Sequence, residues 1–100
     1  MKKSQFYTDS QLKILFFIIR DLKEQFERSP FSSIDYTVSL KRIEKDTGMG
    51  VHNSWSRVRY ILDTEGINYE SKSSGRTGAK YQIRVSREQL KYMSEHAGII

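Results

Sequence analysis

Cysteine is absent from this 100-residue chain, which removes disulfides, thiolate catalysis and the common cysteine-ligated zinc sites. Nothing in it therefore calls for an oxidising compartment. Long apolar runs are missing as well: Ile14 to Ile19 is bounded by Lys13 on one side and by Arg20 and Asp21 on the other. That run is too short for a membrane span or a signal segment, so a soluble, cytoplasmic protein without membrane contact is expected. Catalytic motifs are equally scarce. His52 and His96 stand far apart, no His-Glu-x-x-His occurs, and the run from Gly75 to Lys80 lacks the spacing and the Ser/Thr of a phosphate-binding loop. No nucleophile, base and orienting group can be assembled from these residues, so the expectation is no enzyme, no cofactor and no metal.

What is present fits one domain over residues 1–100. Its 37% hydrophobic content supports a real core, yet a chain this small often borrows apolar area from a partner. The net charge of +5 favours a polyanionic partner. Residues 67–100 hold six Lys/Arg against three Asp/Glu, whereas each of the segments 1–35 and 36–66 exceeds its acids by one. Between Ser71 and Arg84 lie Lys72, Arg76, Lys80 and Arg84 without an acid.

The apolar pattern changes period along the chain. Thr8 and Gln11 have capping-box spacing and open a helix whose inward row is Leu12, Leu15, Phe16, Ile19, Leu22 and Phe26, ending before Ser29 and Pro30. A second row, Ile14, Phe17 and Ile18, needs a further cover, either this chain's own C-terminal helix or a second subunit. Asp35 to Val38 reads as a short strand. Ser39 caps a short helix with Leu40 and Ile43 inward, stopped at Thr47 and Gly48. Val51, Trp55, Val58 and Leu62 then recur at four, three and four residues in a further helix closed by Gly66. After Gly66 the period becomes two, with Ile67 and Tyr69 on one strand and Tyr81, Ile83 and Val85 on its partner. A polar loop joins them. Ser86 and Gln89 repeat the capping-box spacing for a last helix with Leu90, Met93 and Ala97 inward.

This order, carried by Leu40, Ile43, Gly48, Trp55, Val58, Leu62, Gly66, Ile67 and the strand Tyr81, Gln82, Ile83, resembles the winged helix-turn-helix superfamily of DNA-binding domains over residues 39–85. The resemblance implies an α+β fold, mostly helical, with a small antiparallel sheet in the order α-β-α-α-β-β-α, residues 1–8 as an N-terminal arm and 71–80 as the wing. Glu44 departs from the small residue usual in the family, and the Gly48 to Gly66 spacing is about one residue long. The third helix consequently starts either at Val51, capped by Gly50, or at Ser54, capped by Asn53.

With Val51, Trp55, Val58 and Leu62 inward, the hundred-degree step puts Asn53, Ser56, Arg57, Tyr60 and Thr64 outward. These are groove-reading residue types: Arg can donate twice to guanine, Asn can pair with adenine, Ser reads either, and Tyr holds phosphate. The wing residues Lys72, Ser74, Arg76, Thr77 and Lys80, next to Gly75 and Gly78, suit phosphate or a narrow minor groove. Lys41, Arg42 and Lys45 are supporting phosphate contacts, interleaved with Glu44 and Asp46. Trp55, Tyr36, Tyr69 and Tyr81 read as core.

The expected partner is double-stranded DNA, bound by a homodimer joined through Ile14, Phe17 and Ile18. Transcriptional regulation and replication or segregation of a replicon use the same contacts, and either would make the protein nucleoid-associated. The rival is a protein-interaction module docking on an enzyme or polymerase, favoured by that same apolar row. RNA ranks third, because its narrow A-form groove would not admit the helix.

Overall fold

Thr8 caps the first helix through the expected reciprocal pair: its hydroxyl accepts from the Gln11 backbone N–H at 3.3 Å, and the Gln11 side chain accepts from the Thr8 N–H at 2.9 Å. In this computed structural model, which describes residues 6–73 and 79–99 without the side chains of 51–53, 73 and 79, α1 then runs over Asp9–Glu27. The strand β1, Ser33–Ser39, is longer at both ends than its apolar alternation suggests. Helix α2, Leu40–Thr47, follows at once, with Ser39 both closing the strand and capping the helix. At Gly48 the backbone enters the left-handed region, φ 77°, and its N–H closes back on the Glu44 carbonyl at 2.8 Å.

Helix α3 spans Val51–Thr64 with Gly50 as its cap, which decides between the two starts left open above. Gly66, φ 68°, ends it. Its N–H reaches the Asp63 carbonyl and the next N–H, of Ile67, reaches that of Leu62, a six-to-one closure that only a left-handed residue permits cheaply. The strands β2, Tyr69–Ser73, and β3, Ala79–Ser86, lead to α4, Arg87–His96, whose Ser86 and Gln89 form the second capping box. The order α-β-α-α-β-β-α is therefore the one anticipated, and the fold is α+β.

The sheet is antiparallel throughout, in the order β1, β3, β2. β1 pairs with β3 from Ser33 opposite Ser86 to Ser39 opposite Lys80, and β2 pairs with β3 from Tyr69 opposite Ile83 to Ser73 opposite Ala79. Because strand side chains alternate, Tyr36, Val38, Tyr81, Ile83 and Val85 are buried on the helical side. Asp35, Thr37, Glu70, Lys72, Lys80, Gln82 and Arg84 lie exposed on the other.

Packing corrects two expectations. Ile14, Phe17 and Ile18 are not an exposed interface row: all three are buried within the chain. Helix α1 lies centrally, with α2, α3 and α4 all against it, so it buries a stripe far wider than a surface helix does. Phe16, expected inward, is the apolar residue of that stretch left outside. The second correction concerns α3. Its buried stripe is Ser54, Val58, Ile61 and Leu62, and Trp55 is 42% exposed. The small Ser54, fully buried and near the Met49 carbonyl at 3.4 Å, sits where the packing is closest, which turns the helix by about half of one hundred-degree step from the expected face. No helix among the described residues is long and apolar enough to cross a membrane.

Candidate nucleic-acid interface

The rotation of α3 redraws its outward surface. Ser56, Tyr60 and Thr64 are exposed as expected. Arg57 is half-buried at the margin of the outward face rather than at its centre, and the side chain of Asn53 lies outside the described residues. The turn also brings out Trp55 and Arg59, the latter not among the expected site residues. From Val51 to Leu62 the helix carries no acid; Asp63 is the first.

Arg59 and Trp55 stand four residues apart, one turn of helix, which stacks their side chains: the guanidinium carbon lies 4.8 Å from the indole centroid. Arg59 Nε also donates to the Tyr69 hydroxyl at 3.4 Å, and Tyr69 meets Tyr81 edge to face at 5.4 Å. The hydrogen bond to Tyr69 pushes the Arg59 pKa further up. This chain of rings and guanidinium ties α3 to the start of β2. At its inner end the buried Tyr81 hydroxyl meets no hydrogen-bond partner among the described residues, and burial pushes its pKa up.

Tyr60 is less available than its exposure suggests. Its hydroxyl donates to the Phe6 carbonyl at 3.1 Å, and its ring meets Tyr7 edge to face. The described part of the N-terminal arm therefore folds back on α3 instead of reaching outward. Tyr7 in turn donates to Glu65, whose carboxylate also contacts His96 Nδ1 at 2.9 Å and whose side chain is 2% exposed. Burial, then the bond to Glu65, raises the Tyr7 pKa well above the ordinary tyrosine value.

On the hairpin, Lys72 and Lys80 face each other directly across β2 and β3, on the outer side of the sheet. Like charges so placed repel, a cost an anionic partner would relieve. Ser74, Arg76 and Thr77, the tip of the expected wing, lie outside the described residues. Of the supporting cations, Lys41 and Lys45 are exposed, but Arg42 is engaged: it pairs with Asp21 at 2.9 Å and lies over Phe17 at 5.4 Å. Asp21 also accepts from the buried Tyr36 at 2.6 Å, so Arg42 belongs to a structural triad.

No group of three or more metal-ligating side chains occurs among the described residues. The open hollow on the outer sheet face is lined in part by Asp35, Glu70, Gln82 and Arg84, and its Arg84 is paired with Asp35 at 3.0 Å. Comparison with known protein families, with curated proteins and with solved structures finds no match.

Arg59 was legible in principle: Trp and Arg four apart on a predicted helix are a stacking pair whenever both lie outward. Reading Trp55 as core concealed it.

Proposed function

We propose that this chain is a winged helix-turn-helix domain that binds double-stranded DNA sequence-specifically, with α3 in the major groove and the β2–β3 hairpin beside it. The observation that carries the reading is the outward face of α3: Trp55, Ser56, Arg59, Tyr60 and Thr64 exposed with no acid before Asp63, next to a hairpin with two opposed lysines. A merely solvated helix face is usually laced with Glu and Lys, whereas polar, aromatic and Arg side chains supply donors and flat surfaces to base edges and phosphates. The sheet order β1, β3, β2, with α2 and α3 joined by a tight glycine turn, supports the same reading.

Such a domain serves as a small transcriptional regulator or as an adaptor for replication or segregation of a replicon, in the cytoplasm and nucleoid-associated. A homodimer on a repeated site remains part of the proposal, but its contact must use a surface other than Ile14, Phe17 and Ile18, which the fold buries. That burial equally removes the feature that favoured a protein-docking module.

The test is selection of bound fragments from random duplexes at near-physiological salt, followed by affinity measurements on the recovered site. A recurring motif bound far more tightly than random duplex is expected. Failure to retain any duplex, even in dilute buffer, overturns the reading.

A further inference from the structure

Arg59 is held differently from the other cations of the outward surface. Its guanidinium stacks on an exposed Trp55 ring and is tethered at Nε by Tyr69, while the side chain stays open to solvent. A typical exposed arginine is long, mobile and strongly disordered over its rotamers, and much of that freedom is lost on binding. Here two contacts already restrict that freedom in the free protein. The Trp55 ring on one side and the Nε bond to Tyr69 on the other both restrict the orientation of the guanidinium. The two terminal nitrogens enter no hydrogen bond or ion pair among the described residues.

A planar fork with two parallel N–H donors matches a pair of co-planar acceptors about as far apart as its own nitrogens. In duplex DNA such pairs are O6 and N7 of guanine, and the two non-bridging oxygens of a phosphate. We infer that Arg59, preorganised by Trp55 and Tyr69, is a bidentate acceptor-binding residue for duplex DNA at the junction of α3 and the hairpin. This rests on the DNA-binding reading above and names the residue that anchors it. Trp55 and Tyr69 are positioning residues: they act through the guanidinium. The same stack places the single tryptophan of the chain against the ligand.

The test uses the full chain and the duplex recovered by selection. Arg59→Ala is expected to weaken binding about tenfold or more. Arg59→Lys is expected to lose nearly as much, because an ammonium keeps the charge but not the fork. Trp55→Leu should give an intermediate loss and Trp55→Phe should restore most of it, since a flat ring remains, while all these variants stay folded, with thermal unfolding midpoints lowered by no more than about 4 to 8 °C. Trp55 emission should change on titration with the duplex. A duplex with 7-deazaguanine or with methylphosphonate at single positions then identifies the acceptor. The modification that removes it weakens the parent protein but not Arg59→Ala, and which of the two does so tells guanine from phosphate.

Two failures are distinct. If the parent protein binds the duplex and Arg59→Lys or Arg59→Ala binds equally well, or no modified position couples to Arg59, the fork is overturned and the DNA reading stands. If the parent protein binds no duplex at all, the DNA reading falls and this inference with it.

Discussion

The two sides of α3 treat their charged residues in opposite ways. At its C-terminal end Glu65 is enclosed, 2% exposed, with Tyr7 and His96 both directed at its carboxylate. On the flank facing β2, Arg59 is shaped just as carefully by Trp55 and Tyr69, yet remains open to water. Each charge has neighbours that orient it, and burial distinguishes one consumed by the fold from one left at the surface. A buried carboxylate must find its hydrogen bonds inside the molecule, since its desolvation is otherwise uncompensated. An exposed guanidinium carries no such obligation, so its orientation is available for another use.

The sharpest way to break this contrast is at Glu65. Glu65→Ala strands the Tyr7 hydroxyl and removes the contact of His96, and should cost about 2 to 3 kcal/mol in urea unfolding; a loss below about 0.5 kcal/mol would mean the cluster is solvated. Trp55→Ala comes next, with an expected cost of about 1 kcal/mol, the scale of an exposed cation–π contact. A core tryptophan would cost about 3 to 5 kcal/mol, so calorimetry separates an exposed ring from a buried one directly.

Tyr7 sharpens the comparison through pH. Its folded-state pKa is raised above the ordinary value of 10.0, by burial first and by Glu65 second. The folded protein thus holds its proton where the unfolded chain releases it, and stability is full below pH 10 and declines as pH rises beyond it. Tyr7→Phe should make that alkaline decline shallower, and an unchanged slope in urea midpoints between pH 9 and 11 (on the order of one unit either side of the free value) would show the hydroxyl to be solvated. Tyr36, buried against Asp21, adds a second contribution of the same sign.

The smallest stability effect is expected at Lys72. Lys72→Ala relieves the repulsion with Lys80 and should leave stability unchanged or improve it by a few tenths of a kcal/mol. It should lower the salt dependence of duplex binding by about one unit, equally for all sequences, in titrations at several salt concentrations.

The parts of this fold that could be read in advance are those set by residues close in sequence. Thr8 with Gln11, Ser86 with Gln89, Ser39 as a cap and the stops at Gly48 and Gly66 each depend on hydrogen bonds or backbone angles spanning a few positions. The alternation of Tyr81, Ile83 and Val85 identified the buried face of β3 for the same reason. What escaped were choices made by distant neighbours. The apolarity of Ile14, Phe17 and Ile18 was plain, but what covers them depends on three helices meeting at α1. The preference for Ser54 over Trp55 at the buried seam depends on how closely α3 approaches its neighbours, and the largest apolar residue was the wrong guide.

The site divides along the same line. Ser56, Tyr60 and Thr64 emerged where expected because a rotation of about half a step still leaves the centre of a polar arc outward. Arg57, at the edge of that arc, became half-buried, and Trp55 left the inward stripe for the surface. Tyr7, Glu65 and His96 share no local pattern, being separated by 58 and 31 residues, and they meet only because α4 and the N-terminal arm converge on the end of α3.

Composition and periodicity by themselves determined the class of molecule: a cysteine-free, basic α+β domain with its helices, turns and strands in this order, since each follows from short-range propensity and capping. Tertiary structure alone decided which side of α3 faces outward, that α1 is wrapped by its own chain, and that Arg59 is stacked and tethered. Those outcomes turn on close-packed contacts between segments far apart in the chain, where a half-step of helix rotation costs little locally and everything depends on which side chain fits the gap.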